Sequence, residues 1–424
     1  MFKVLIIAYY FPPMGLSGVQ RVLKFAKYMK QYNWEPTIIT ADKTAYFAHD
    51  ESLLEETKDM RVIRTAGKDP NSRLAKSGTV KMPSEVIRKT FNRLSQTFFI
   101  PDNKKGWATQ AKKTAQELLA KEQFDVIFVS GPPFSSFIVA AELKKEFNLP
   151  LFIDYRDLWV DNHFAFYPTP MHRLSHKKKE YRVLRTAEKV TVINRKIKEK
   201  LLKTYKFLTF EDVVIIPHGY DPADFESVDF KPKMNKKLVL TYAGIFYEFI
   251  TPKFFFEAFK KLQFERPDIA ENYELHFVGH LNSTNLALVN KMGLLKYVKN
   301  HGYMTHSETI KKIMASDVLW AMVGKKKNSD TVSLSKLFEY FGAKKPIIAC
   351  VPDGAAKTAA QEYGASFIVD PEDVDAIKDT LIKVHQLYKE GRLPLPKEEF
   401  IKKHDRSILT EQLTKHFQFY IRTE

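Results

Sequence analysis

The chain has 424 residues, 44% hydrophobic and 28% charged, with 67 Lys and Arg against 50 Asp and Glu and a formal net charge of +17. That balance excludes a disordered chain and supplies core material for two or three domains. A single cysteine, Cys350, excludes a disulfide framework and a multi-cysteine zinc site, and it fits a reducing compartment. No apolar run approaches the ~18 residues that span a bilayer.

The opening segment MFKVLIIAYYFPP (1–13) carries a core strand, VLIIAYY (4–10), and does not read as a signal peptide, because no small-residue cleavage site follows. After it, Val19, Val22, Leu23, Ala26 and Met29 recur at helical spacing. Strands are expected at 35–41, 60–66, 124–131, 149–157, 189–194 and 212–219, with helices over 105–121 and 135–146. The pattern then restarts, with strand candidates at 238–244, 273–280, 317–324, 345–352 and 366–370 and helices near 251–265, 307–315, 333–343 and 355–363. Strand, helix, strand in series means parallel sheets with crossover helices. The polar, turn-rich stretch 218–237 separates two α/β units, giving domains 1–222 and 223–397. The tail 398–424 is expected to be helical and to pack back on the first domain.

Charge is distributed unevenly. Residues 1–222 hold 37 basic and 24 acidic residues, concentrated in 61–120 and 171–206. Such a half suits an anionic partner, either a phosphorylated substrate or an anionic membrane surface; the alternative is a solubilising surface. Nucleic acid is not the expected partner, since no recognition helix, zinc spacing or aromatic RNA-binding signature accompanies the charge. Within the insertion 67–104, Ser84 is placed to cap a helix carrying Val86, Ile87, Phe91, Leu94 and Phe98, with Arg88, Lys89 and Arg93 among them. A basic amphipathic helix of this kind either lies on a membrane or covers its own domain.

Three stretches carry candidate chemistry. In YYFPPMGLSGVQR (9–21), Gly15 and Gly18 permit close backbone approach, and the helix start at Gly18–Gln20 offers N–H groups to an anion. The spacing is neither a dinucleotide nor a Walker fingerprint, so a tight turn explains it equally well. In FIDYRDLWVDN (152–162), Asp157 follows the C-terminal end of a strand, where open α/β sheets place ligands. It can accept a proton or bond a sugar hydroxyl, or else cap a helix and pair with Arg156. In SLSKLFEYFGAKKPIIACVPDG (333–354), Glu339 can bond a ribose diol and Lys336 a diphosphate; the competing reading is a solvated helix face.

These stretches, in this order, resemble bacterial glycosyltransferases of family 4, the group 1 transferases of the GT-B fold. The resemblance runs through FPPMGLSGVQRVLKFAKYM, KVTVIN with IIPHGYDPADF, TYAGIF, LHFVGH, HGYMTHSETIKKIMASDVL and SKLFEYFGAKKPIIA, and so covers nearly the whole chain. It implies two Rossmann-like, doubly wound parallel-sheet domains facing across a cleft. It also implies retaining transfer from a nucleotide-sugar, UDP- or GDP-linked, to a lipid-linked or surface-polysaccharide acceptor, with no cofactor and no metal. Asp157 would be catalytic or on the acceptor side. Gly15, Gly18, Gln20, Gly244, Lys336 and Glu339 would bind donor, Glu339 matching the second Glu of the family's Glu-x7-Glu motif. The pattern departs from the family at the first Glu, where Thr331 stands with Asp330 beside it, and after Gly244, where Ile245 replaces an Arg. Lys253 lies near, but not on, the family's phosphate-binding Lys position, and His218 replaces an Asn. A nucleotide-sugar 2-epimerase and a degenerate binding protein share the fold and are the alternatives. The expected place of work is the cytoplasmic face of the membrane, held peripherally.

Overall fold

The computed structural model describes residues 1–42, 44, 46, 48–67, 85–226 and 237–421. Ser84, residues 68–84 of the insertion and the linker centre at 227–236 lie outside the described residues. The chain divides into two compact units, Met1–His218 with Arg406–Glu424, and Gly219–Asp405. The boundary read from the sequence at 222 lies four residues from this division.

The first unit holds a seven-stranded parallel sheet. Its strands are β1 (Phe2–Ile7), β2 (Trp34–Ala41), β3 (Arg61–Thr65), β4 (Val126–Gly131), β5 (Leu151–Tyr155), β6 (Lys189–Val192) and β7 (Val213–Ile215). Their order is β3-β2-β1-β4-β5-β6-β7, which reverses direction between β1 and β4. The helices are α1 (Ser17–Met29), α2 (Glu85–Phe98), α3 (Lys105–Leu119), α4 (Ser135–Phe147), α5 (Pro170–Leu184) and α6 (Arg195–Thr204).

The second unit begins with the single turn α7 (Ala223–Glu226) and repeats the scheme with six parallel strands. These are β8 (Leu238–Ala243), β9 (Tyr273–Val278), β10 (Val298–Gly302), β11 (Val318–Met322), β12 (Ile347–Cys350) and β13 (Ser366–Val369). They are ordered β10-β9-β8-β11-β12-β13, with the reversal between β8 and β11. Around them lie α8 (Lys253–Glu265), α9 (Pro267–Ala270), α10 (Ser283–Lys291), α11 (His306–Met314), α12 (Ser335–Gly342), α13 (Ala355–Tyr363), α14 (Val374–Lys389) and α15 (Glu398–Lys402). The last helix, α16 (Arg406–Gln418), belongs to the first unit. Its Phe417 ring sits 4.7 Å from Phe152 and 5.2 Å from Trp34, and Leu409 and Leu413 are buried in the same core.

Buried strands explain themselves: VLII (4–7) and VIFV (126–129) are enclosed on both faces, as parallel sheets require. The strand β10 is a correction to the sequence reading, which places five strands in this unit and not six. Its residues VKNHG are polar because it is an edge strand with half its surface in water, so no apolar run marks it. In the insertion, the helix expected from the Ile87–Phe98 spacing is α2.

Candidate functional site

In an open parallel sheet, the reversal of strand order leaves a crevice at the strands' C-terminal ends. The candidate residues of each unit gather there. Among the described helices α1, α8, α12 and α13 begin with no side-chain cap, as do α3, α4, α9 and α15. By contrast α5, α6, α10, α11 and α14 are capped by Thr169, Asn194, Asn282, Thr305 and Asp373. Uncapped starts keep a partial positive charge available to an anion.

In the first unit, the loop after β1 is braced from outside: the Gly15 N–H donates to Ala48 O at 2.8 Å, and the Asp50 N–H donates to Pro13 O at 2.8 Å. Its left-handed residue is Leu16, at φ 70°, and not a glycine. Gly18 has a packing reason instead. A Cβ there would stand 2.9 Å from Arg156 Nη1, which donates to Gly18 O at 2.6 Å. Arg156 also donates to the Gly131 and Pro132 carbonyls, so it ties the loops after β1 and β4 together. Gln20 is buried on α1.

One turn into α1, Arg21 forms a fully buried ion pair with Asp154 at 2.7 Å. Ser130 and Thr191 hydroxyls donate to the same carboxylate at 2.7 and 2.8 Å. The remaining Arg21 N–H groups reach Pro217 O and Ile216 O. Arg21 was not singled out in the sequence. A basic residue set among Val19, Val22 and Leu23 was the available signal. His218 is buried behind this pair; burial and the charges of Arg21, Arg406 and Arg156 hold its imidazole far below the usual histidine range, so it is neutral.

Asp157 differs from Asp154. No helix starts after it, so it is not the helix cap anticipated, and Arg156, whose guanidinium donates to backbone carbonyls, acts on it through its charge. Burial pushes its carboxyl up to about 6, against the opposing pull of Arg156. A half-buried carboxylate poised near neutrality at a strand end has the properties of a proton acceptor.

In the second unit, the loops after β8, β9, β11 and β12 approach so closely that only glycine fits. A Cβ at Gly279 would lie 2.2 Å from Gly244 O, one at Gly324 1.9 Å from Phe249 O, and one at Gly354 2.6 Å from the Asp330 backbone. Gly244, at φ +136°, leaves room for Lys336, whose Nζ would stand 2.5 Å from an added Cβ. That Nζ lies 3.7 Å over the Tyr242 ring. Burial lowers the Lys336 ammonium to about 7, while Glu339 one turn along α12 pulls it back up. His306 stands between two carboxylates, with Nε2 3.0 Å from Asp224 and Nδ1 3.9 Å from Glu339. At the ends of β9 and β10 the His280 and Tyr303 rings stack, 6.1 Å between centroids. Neither His306 nor this ring pair was singled out in the sequence, because their partners are brought in by the fold.

The remaining candidates do less. Thr331 is buried and gives its hydroxyl to Asn328 O within its own turn. Asp330 serves through its backbone against Gly354, Ile245 receives the Tyr242 hydroxyl on its carbonyl, and Lys253 is an exposed first residue of α8 facing Glu257 at 3.8 Å. Replacing Gly244 by alanine is therefore expected to strain the backbone and displace Lys336. For the nucleotide that the sequence resemblance implies, affinity measured by calorimetry should fall at least about tenfold, on the scale of one lost charge-assisted contact.

Residues 17–224 match the family model described as Glycosyltransferase Family 4. No curated protein matches the sequence. Among solved structures, a glycosyltransferase from Rickettsia africae ESF-5 superposes with a TM-score of 0.66 at 15% identity, over 100% of this chain and 99% of that one. Anabaena HepE (Alr3699), solved in complex with UDP, gives 0.63 at 11% identity over 99% and 100%. WaaG, a glycosyltransferase involved in lipopolysaccharide biosynthesis, gives 0.60 at 14% identity over 99% and 100%. At these identities the likeness establishes the fold, which is GT-B.

Proposed function

We propose that this chain, whose residues 17–224 match the model of Glycosyltransferase Family 4, moves a sugar from a nucleoside-diphosphate donor to a hydroxyl of a lipid-linked or surface-polysaccharide acceptor, with retention at the anomeric carbon. The observation that carries this reading is the pairing of Lys336 and Glu339 on one turn of α12, beside loops that only glycine can form. The Glu339 carboxylate suits a ribose diol. Lys336 and the uncapped starts of α12 and α13 suit the diphosphate, whose charge would keep the ammonium protonated. The His280–Tyr303 ring pair offers a face on which a base can stack. UDP bound to HepE supports a uridine donor, and the role of WaaG supports an envelope glycan as acceptor.

In the reaction the bond from the anomeric carbon to the diphosphate oxygen breaks, and the acceptor oxygen bonds to that carbon. The acceptor hydroxyl proton leaves towards Asp157, and the leaving diphosphate takes the electron pair and is stabilised by Lys336 and the helix N–H groups. The enzyme works peripherally at the inner face of the cytoplasmic membrane, where such acceptors are assembled.

The test is Glu339→Gln, which keeps shape and removes charge. Nucleotide affinity should weaken about tenfold with unchanged unfolding temperature, since a charge-assisted bond is roughly twice as strong as a neutral one. Unaltered affinity sinks the assignment. Incubating the wild type with nucleotide-sugars without acceptor separates an epimerase, which converts its donor alone, from a transferase.

A further inference from the structure

The helix α2 keeps its apolar stripe in water. Ile87, Phe91, Leu94 and Phe98 follow one another at spacings of four, three and four residues, on one face about 16 Å long at 1.5 Å per residue. Each is between 49% and 75% exposed, in a unit whose core encloses nearly every other large apolar side chain of its strands. A cover helix would turn this stripe inward, so the second reading offered by the sequence does not describe it.

A different side of α2 is the one that is fastened. Gln96 Nε2 donates to Phe164 O at 3.3 Å, and the Phe166 N–H donates to Gln96 Oε1. His172 Nε2 lies 3.2 Å from Thr97 O, and the Arg93 guanidinium sits over the Phe166 ring. These contacts bring the start of α5 alongside, and there Met171 and Leu174 are 69% and 57% exposed. The outward face of α5 continues from them one turn at a time through Lys178, Tyr181 and Arg185. Lys89 and Arg93 are exposed on α2. Of the two acidic residues in 161–184, Glu180 is buried and Asp161 is paired with Arg173 at 3.0 Å. The stripe of α2 is therefore apolar, with Lys89 and Arg93 exposed on the flank of the same helix nearer the 164–172 segment, Lys178 exposed on α5 and Arg185 just beyond it, and Asp161 held in an ion pair.

We infer that this two-helix surface, α2 with the first turns of α5, docks the first unit on an anionic lipid bilayer. Charge complementarity selects the occupant. The cations meet lipid headgroups, and the phenylalanine, leucine, isoleucine and methionine side chains enter the boundary between headgroup and acyl chain. No helix among the described residues is long and apolar enough to cross a membrane, so the attachment is interfacial. It gives the proposed transfer to lipid-linked acceptors a place to occur and rests on that reading for its purpose only.

The experiment is co-sedimentation of the full chain with phosphatidylcholine vesicles, with and without phosphatidylglycerol, at low and high salt. The wild type should partition onto the anionic vesicles and retain part of that binding in high salt, because the apolar share is not screened. Phe91→Ser with Leu94→Ser, and separately Met171→Ser with Leu174→Ser, should each lower the partition about tenfold or more. Lys89→Glu with Arg93→Glu should abolish the preference for phosphatidylglycerol. All variants should unfold at the wild-type temperature, which confirms that the first unit is folded. Partition unchanged by the serine pairs overturns the inference, as does a lipid-free dimer that the serine pairs dissolve, which would assign the face to a second copy. A wild type that binds vesicles but transfers no sugar would defeat the transferase reading and leave this surface standing.

Discussion

Asp157→Asn is expected to reduce sugar transfer by about 10²–10⁴-fold, the range for loss of a positioned proton acceptor, with donor affinity nearly unchanged. Burial raises the carboxyl from its ordinary 3.8 to about 6. The carboxylate is the competent form, so wild-type turnover should climb as pH rises through about 6 and level off above. The asparagine variant should lose that limb. The stability sign runs the other way. A raised carboxyl favours the folded state while it is protonated, and this contribution is lost between its ordinary value and about 6 as pH rises. At neutral pH the variant, free of a poorly solvated charge, should therefore unfold at the same temperature as the wild type or higher. Full turnover in the variant, measured by product formation at saturating donor, would leave Asp157 without a chemical role.

How far the sequence discloses this molecule depends on how local the cause is. Strands enclosed on both faces announce themselves as apolar runs, so β1, β4, β8 and β12 are legible. The edge strand β10 is not, because half of it needs to be polar. The glycine-bearing loop after β1 is legible as a ligand-type turn, but its cause is not. The left-handed residue is Leu16, and Gly18 packs against the Arg156 guanidinium, which lies 138 residues further along the chain. The same holds in the second unit. The SKLFEY segment points to Lys336 and Glu339, whereas the glycines that make their surroundings — Gly279, Gly324 and Gly354 — acquire meaning only when four loops meet. Amphipathicity marks α2 in the sequence, yet periodicity cannot say which way an apolar stripe faces. That is decided by Gln96 and Thr97, whose contacts with the 164–172 segment hold the other side.

Removing the Arg21 side chain should be the most destabilising single change in the first unit. The Arg21–Asp154 pair is buried completely and takes hydrogen bonds from Ser130 on β4 and Thr191 on β6, while Arg21 also binds two carbonyls beyond β7. One guanidinium thus joins α1, β5 and the chain leaving β7. Arg21→Met would leave a carboxylate in the core with two hydroxyl donors, no hydrogen-bonded counter-charge and only the charge of Arg156 nearby, a loss of about 3–5 kcal/mol. Against a typical total of about 5–15 kcal/mol, that is a large share of a domain's stability. Burial pushes the Asp154 carboxyl up, but the charge and hydrogen bonds of Arg21, with the two hydroxyls, outweigh it and hold the group below its ordinary 3.8. The pair's contribution is therefore present above that ordinary value and is lost as pH falls through the lower folded one. Urea unfolding of wild type and Arg21→Met should differ most at neutral pH and converge in acid. The double change Arg21→Met with Asp154→Leu should recover part of the loss, since it removes the stranded charge that the single change creates. Lysine at 21 should not substitute, because a single ammonium cannot span the carboxylate and both carbonyls as the planar fork does. An Arg21→Met protein as stable as the wild type at neutral pH would mean that α1 is held by its apolar face alone, and that the ion pair fixes geometry at the loop after β1 without contributing to stability.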